Sequence, residues 1–237
     1  MRRMNRRTFI GSSLAATLSA AAQPAWAALP LNPGSSKANL ENPTRQIDRI
    51  GLQLYTVRAA MKTDFEGTIA KVAATGYKEV EFAGYFGRTP QQVKETLQRC
   101  GLVSPSAHLD YATVSNPDKW KQALDDAATI GQTFLVNPWI DPSMRNDPGV
   151  WKRIADTYNT AGAAARAHGI QFCYHNHNFE FYPSPGADGR QPFDVLLESC
   201  DPKLVKMELD LCWISAAGKD PLASLKASYD YISQLTF

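Results

Sequence analysis

The chain has 237 residues, 44% of them apolar and 20% charged, with 25 basic against 23 acidic side chains. It is long enough for one large domain or two small ones, and its composition is that of an ordinary globular protein. The small net charge of +2 turns negative once the N-terminus is set aside, which argues against a nucleic-acid backbone as the partner.

Residues 1–27 read as an export signal. Arg2, Arg3, Arg6 and Arg7 form a basic head, Phe9 to Ala22 a short apolar run, and Ala25-Trp26-Ala27 an A-x-A cleavage site before Ala28. The run is too short and too rich in small residues to span a bilayer. Asn5-Arg6-Arg7-Thr8-Phe9-Ile10 resembles a twin-arginine signal, so a periplasmic or secreted protein is expected, with no membrane insertion after cleavage. Four of the 25 basic residues and none of the 23 acidic ones leave with this segment, so 21 face 23, a net charge of −2. Cys100, Cys173, Cys200 and Cys212 would meet an oxidising compartment. They lack C-x-x-C spacing and read as buried thiols.

Residues 28–47 are rich in Pro, Asn, Ser and Gly and read as a linker; the domain spans 48–237. Ile50–Val57 reads as a strand, and a helix with Phe65, Ile69, Val72 and Ala73 on one face closes at Gly76. Tyr77–Ala83 is the next strand. Thr89-Pro90 opens a helix that Gly101 ends. Leu102–Leu109 is a strand interrupted by Pro105; Asn116-Pro117 opens a helix closed by Gly131. Gln132–Asn137 follows as a strand, and Asp147-Pro148 opens a helix ending at His168-Gly169, where His168 suits a helix C-terminus. Ile170–Asn176 is the fifth strand, Pro192–Cys200 a helix, Leu204–Cys212 the sixth strand, and Asp220-Pro221 opens a sixth helix.

Strand and helix alternating at about thirty-residue spacing means parallel strands with crossover helices. No G-x-G-x-x-G follows the first strand, where Gly51-Leu52-Gln53-Leu54 stands, so a dinucleotide fold loses its main support. Polar residues at the strand C-terminal ends favour a (β/α) TIM-type barrel: Gln53 and Tyr55, Glu79 and Glu81, His108, Asn137, His175 and His177, Asp210. Six of eight βα units are countable, so the barrel is expected to be incomplete. The seventeen residues after Asp220 are too few for two more units. Unclosed edges on the first and sixth strands then predict self-association.

The fifth strand ends in Phe172-Cys173-Tyr174-His175-Asn176-His177-Asn178-Phe179-Glu180. Alternation puts Cys173, His175 and His177 on one face, with Glu180 in reach of the same pocket. An H-x-H alone is weak: metal binding or proton transfer and two locally satisfied histidines are both open. Glu208, Asp210 and Cys212 share a face of the sixth strand, with Asp210 nearest the rim.

Together, Ile50–Val57, Gly76–Phe82, Ala107-His108, Tyr174–Phe181, Glu208–Trp213 and Ala217–Pro221 resemble the sugar phosphate isomerase/epimerase family of xylose isomerase-like TIM barrels. The resemblance covers about residues 48–227; no seventh or eighth ligand-bearing strand has a counterpart. It implies a divalent-metal enzyme (Mn, Mg, Co or Zn) that removes a proton next to the carbonyl of a keto sugar, as an isomerase, epimerase or dehydratase. His175, Glu180 and Asp210 become metal-ligand candidates, His175 and Glu180 unseparated and Asp210 with helix capping as its alternative. Glu81 and His177 become candidates for proton transfer, against a salt-bridged carboxylate and an orienting histidine. Gln53, Tyr55, His108 and Trp213 become substrate-binding candidates, with core packing equally open for Tyr55 and Trp213. An inactive or sugar-binding shortened barrel is the second reading; an endonuclease IV-like nuclease is disfavoured by the acidic mature chain and the export signal.

Overall fold

In the structure, a computed structural model that describes residues 50–236, seven parallel strands lie side by side in sequence order. They are β1 Gly51–Gln53, β2 Glu79–Phe82, β3 Val103–His108, β4 Phe134–Asn137, β5 Gln171–His175, β6 Val205–Asp210 and β7 Ile232–Thr236. The expected export segment and linker lie outside the described residues. Helices run between the strands: α1 Arg58–Thr63 and α2 Phe65–Ala74, α3 Pro90–Cys100, α4 Tyr111–Val114 and α5 Pro117–Ile130, α6 Val150–Ala167, α7 Pro192–Ser199, then α8 Leu211–Ala216 and α9 Pro221–Ala227. Sequential order with every pair parallel is the pattern of a (β/α) barrel; a doubly wound sheet reverses its order partway. Six strand–helix units and a seventh strand form an incomplete barrel. Among the described residues no helix is long and apolar enough to cross a membrane.

The capping chemistry read from sequence is in place. Thr89 and Gln92 close a reciprocal capping box at the start of α3, and Asn116 Oδ1 accepts from the Lys119 amide at the start of α5. Gly101 and Gly131 end these helices in the left-handed region that a Cβ disfavours. One face of the sheet packs on the helices. Phe172 and Tyr174 of β5 meet Tyr158 of α6 with centroids 5.1 and 5.6 Å apart, and Trp120 of α5 sets its edge on Phe172 at 5.5 Å. The buried Trp120 indole donates to the Ala161 carbonyl, so its burial leaves no orphaned donor.

Several expectations are corrected. β1 stops at Gln53, because the Gln53 side-chain oxygen takes the Tyr55 amide proton and turns Leu54–Val57 into a 3₁₀ turn. The helix expected from Asp147-Pro148 starts at Val150, behind Gly149 at φ 66°. β6 ends at Asp210, and Cys212 falls in α8, exposed, instead of sharing a strand face with Glu208. Only Cys173 and Cys200 are buried thiols; Cys100 is half-buried. The last residues are a seventh strand: β7 pairs with β6, Glu208 opposite Gln234 and Asp210 opposite Thr236. The expected open edge on the sixth strand is therefore covered.

Candidate active site

The strand ends bring four charged or imidazole side chains from four strands into one buried group. β2 carries Glu81, β3 His108, β5 His175 and β6 Glu208; His175 and Glu208 stand opposite each other in the β5–β6 register. Glu208 Oε1 lies 2.8 Å from His175 Nδ1 and 3.1 Å from His108 Nε2. The same His108 nitrogen lies 3.1 Å from Glu81 Oε2, whose other oxygen accepts from the Ser106 hydroxyl at 2.6 Å. On its far side His108 Nδ1 meets the Gln53 amide at 3.1 Å. Pairing explains how acids can be buried here at all.

The electrostatics divide the two carboxyls. Burial opposes charge on Glu208, but hydrogen bonds and charge from His108 and His175 outweigh it, holding Glu208 well below the usual carboxylate range. Burial raises Glu81, and its bond to His108 offsets only part of that. Between them His108 is pushed up to about 10: burial works against its charge, and the two carboxylates more than compensate. Such divergence between neighbouring acids is how protein sites separate a fixed charge from a proton carrier.

Glu208 Oε2 is buried without a hydrogen-bond partner. An orphaned buried carboxylate oxygen calls for an occupant, a water or a cation. Metal-capable atoms of His108, His175 and Glu208 all lie within 4.8 Å of one another. Asp210 Oδ2 stands 3.8 Å from His175 Nε2, beside this group. The nitrogen–carboxylate donor set fits a divalent ion, which on binding would displace the proton that His108 otherwise holds between the two carboxylates.

The sequence candidates distribute as follows. Glu81, His108, His175 and Asp210 converge, Asp210 with its Oδ1 also accepting the Trp213 amide at the start of α8. Asn176 pins that corner, donating to the Asp210 carbonyl and accepting from its amide. His177 lies beyond β5 in a cage of rings: centroids of His175, Trp139 and Trp213 are each 5.1 Å away. Burial first, then the charges of His175, His108 and Arg145, lower it to about 4, so it stays a neutral imidazole. Trp213 is part of this wall at 38% exposure, while Tyr55 is 58% exposed with the Arg58 guanidinium 3.9 Å over its ring. Glu180 does not join the cluster. It is fully buried, accepting from the Tyr174 hydroxyl at 2.5 Å and the His177 amide at 2.9 Å. Tyr174 belongs to the opposite face of β5, so Glu180 is a brace for the rim loop. Sequence reasoning missed Glu208 as the centre of the group and placed His108 only in the wall; Trp139 was not singled out.

A parallel (β/α) barrel whose strand ends gather imidazoles and carboxylates defines a class of TIM-type barrels built around a rim site. The chain belongs to the xylose isomerase-like TIM barrel family, which it matches over residues 69–236. It is 22% identical over 178 residues to an inosose dehydratase of Mesomycoplasma hyopneumoniae, covering 68% of this chain and 58% of that protein. The chain thus spans somewhat over half the length of this curated relative. A sugar phosphate isomerase/epimerase from Parabacteroides distasonis superposes with a TM-score of 0.69 at 23% identity, covering 82% of this chain and 76% of the other. A second one from that organism gives 0.67 at 28% identity, over 79% and 77%. The IolI protein with a bound zinc atom shares the fold at 0.58 and 14% identity, over 78% and 70%.

Proposed function

We propose that this protein is an exported, divalent-metal-dependent isomerase, epimerase or dehydratase that removes a proton next to the carbonyl of a keto sugar. The observation that carries the reading is the Glu208 carboxylate, ionised, buried and unpartnered at Oε2 between His108 and His175. His108, His175 and Glu208 would hold the ion, with Asp210 Oδ2 beside them. Bound there, a divalent ion supplies Lewis-acid polarisation of the substrate's carbonyl and hydroxyl oxygens. Glu81 is the proton carrier: burial makes its carboxylate a stronger base. Gln53 fixes the His108 ring by its Nδ1 bond. Neutral His177, with Trp139 and Trp213, walls the site and excludes water. Relatives whose names are inosose dehydratase and sugar phosphate isomerase/epimerase support the same proton chemistry.

Metal analysis of the purified chain tests the site, with about one divalent ion expected and Glu208→Gln expected to lose it. Glu81→Gln should keep the ion and slow proton exchange of a keto-sugar panel in heavy water by about 10²–10⁴-fold. Full-rate exchange in that variant, or undiminished metal in Glu208→Gln, would sink the assignment. Export rests on Arg6-Arg7; replacing both with lysine should leave a fused reporter in the cytoplasm, since the planar guanidinium pair is what distinguishes the signal. A reporter still exported by the Lys-Lys form would refute twin-arginine transport.

A further inference from the structure

We infer that Arg145 heads a subsite for a small oxyanion, a phosphate or carboxylate group, outside the metal cluster. Arg145 sits in the loop between β4 and α6. Its Cζ lies 3.4 Å from the Phe179 ring centre and 4.2 Å from that of Trp139, two rings set at 80° to each other. Its Nε donates to the Ile140 carbonyl at 2.8 Å. Among the described residues that is the guanidinium's single hydrogen bond, so the four N–H groups on Nη1 and Nη2 are unspent. Nη2 is buried with no partner.

Aromatic faces balance charge but accept no in-plane N–H bond. A guanidinium stacked this way is fixed in orientation with its donor edge unused, which is the arrangement that matches the two oxygens of a carboxylate or phosphate. The neighbouring acid does not serve: Glu180 spends its oxygens on Tyr174 and the His177 amide. Arg145 also lines a cleft of about 190 Å³ with Asn146, Trp151, Phe179, Tyr182, Ser184 and three prolines. That space admits an ion the size of phosphate. None of the described residues lining it is acidic; the charges that oppose an anion there, Glu180 and Asp141, act on Arg145 from outside the lining.

The cleft does not contain His108, His175 or Glu208. Phe179 borders it and stacks on His177 at 6.0 Å, and His177 meets His175 at 5.1 Å. The subsite therefore adjoins the rim, and its anion is either a free one or the acidic tail of a substrate whose reacting end lies at the cluster.

Inorganic phosphate is titrated into the metal-free full chain, followed by calorimetry and by the fluorescence of the tryptophans beside Arg145. Saturable binding is expected, weakened about tenfold or more in Arg145→Met, with part of it restored in Arg145→Lys. Asn146 is exposed, so Asn146→Trp fills the cleft mouth with Arg145 and the fold intact, and it too should lose phosphate. Unchanged binding in either folded variant, or no saturable binding to the wild type, overturns the subsite and leaves Arg145 a brace between two loops. Fructose 6-phosphate and fructose then identify the source. Tighter binding of the sugar phosphate than of phosphate assigns the anion to a substrate tail; equal binding assigns it to a free ion, and both support the subsite.

Discussion

Glu180 shows how burial makes a single side chain titrate with the fold. Burial pushes its carboxyl up to about 7 from an ordinary 4.5, against the opposing hydrogen bonds from Tyr174 and the His177 amide. The folded chain thus keeps this proton to a higher pH than the unfolded chain does. Its stabilising effect is complete below about pH 4.5 and is lost as pH rises through 7, a change of about 3 kcal/mol. Denaturant unfolding of wild type and Glu180→Gln across pH 4 to 8 checks this. The variant carries a constant offset from the acceptor it forfeits, so the diagnostic quantity is the difference, expected to move against the wild type as pH rises; a flat difference refutes the account. Residue identities around it were legible to different degrees. Asp210 and His175 were readable because alternation puts both at a strand end. Glu208 was not, because its depth is fixed by pairing opposite His175, and no single strand reveals its neighbour's register. Glu180 was misplaced because the 3₁₀ turn Phe179–Phe181 swings it to the Tyr174 side.

Elements were legible where a cap announces them and obscure where contacts far along the chain decide. Pro90–Cys100 and Pro117–Ile130 begin and end where Thr89, Asn116, Gly101 and Gly131 say they do. β7 had no such signal: α8 and α9 are only six and seven residues long, and no glycine-ended helix announces the strand that follows them. The β4–β5 crossover shows packing overriding propensity. Gly162 lies within α6, where alanine would be preferred by about 1 kcal/mol. A Cβ there would stand 2.4 Å from the Leu204 carbonyl oxygen and 2.9 Å from its carbon. Backbone at the foot of β6 cannot step aside as a flexible side chain would, and overpacking of this kind costs about 1–3 kcal/mol. Gly162→Ala is therefore expected to lower the unfolding free energy by up to about 2 kcal/mol net, measured by urea denaturation. A stabilised variant would show that α6 rides free of Leu204.

At the scale of the whole molecule, the site exists only through the sheet. His108, His175 and Glu208 are up to a hundred positions apart in the chain and become neighbours because β3, β5 and β6 run parallel in sequence order. An unfolded chain has no such cluster, so an ion bound there favours the folded state by mass action. At a hundred times its dissociation constant the gain is about 2.7 kcal/mol. For a domain of this size each kcal/mol raises the melting temperature by about 2–4 °C, so saturating zinc or manganese should raise it by about 5–11 °C. A chelator should reverse the shift, and Glu208→Gln should abolish it, whereas Glu81→Gln, which keeps all three ligands, should retain it. Neither variant alone separates a lost ligand from a weakened barrel; the pair does, because both remove one buried carboxylate from the same network. Equal metal-induced shifts in wild type and Glu208→Gln would place the ion elsewhere in the chain.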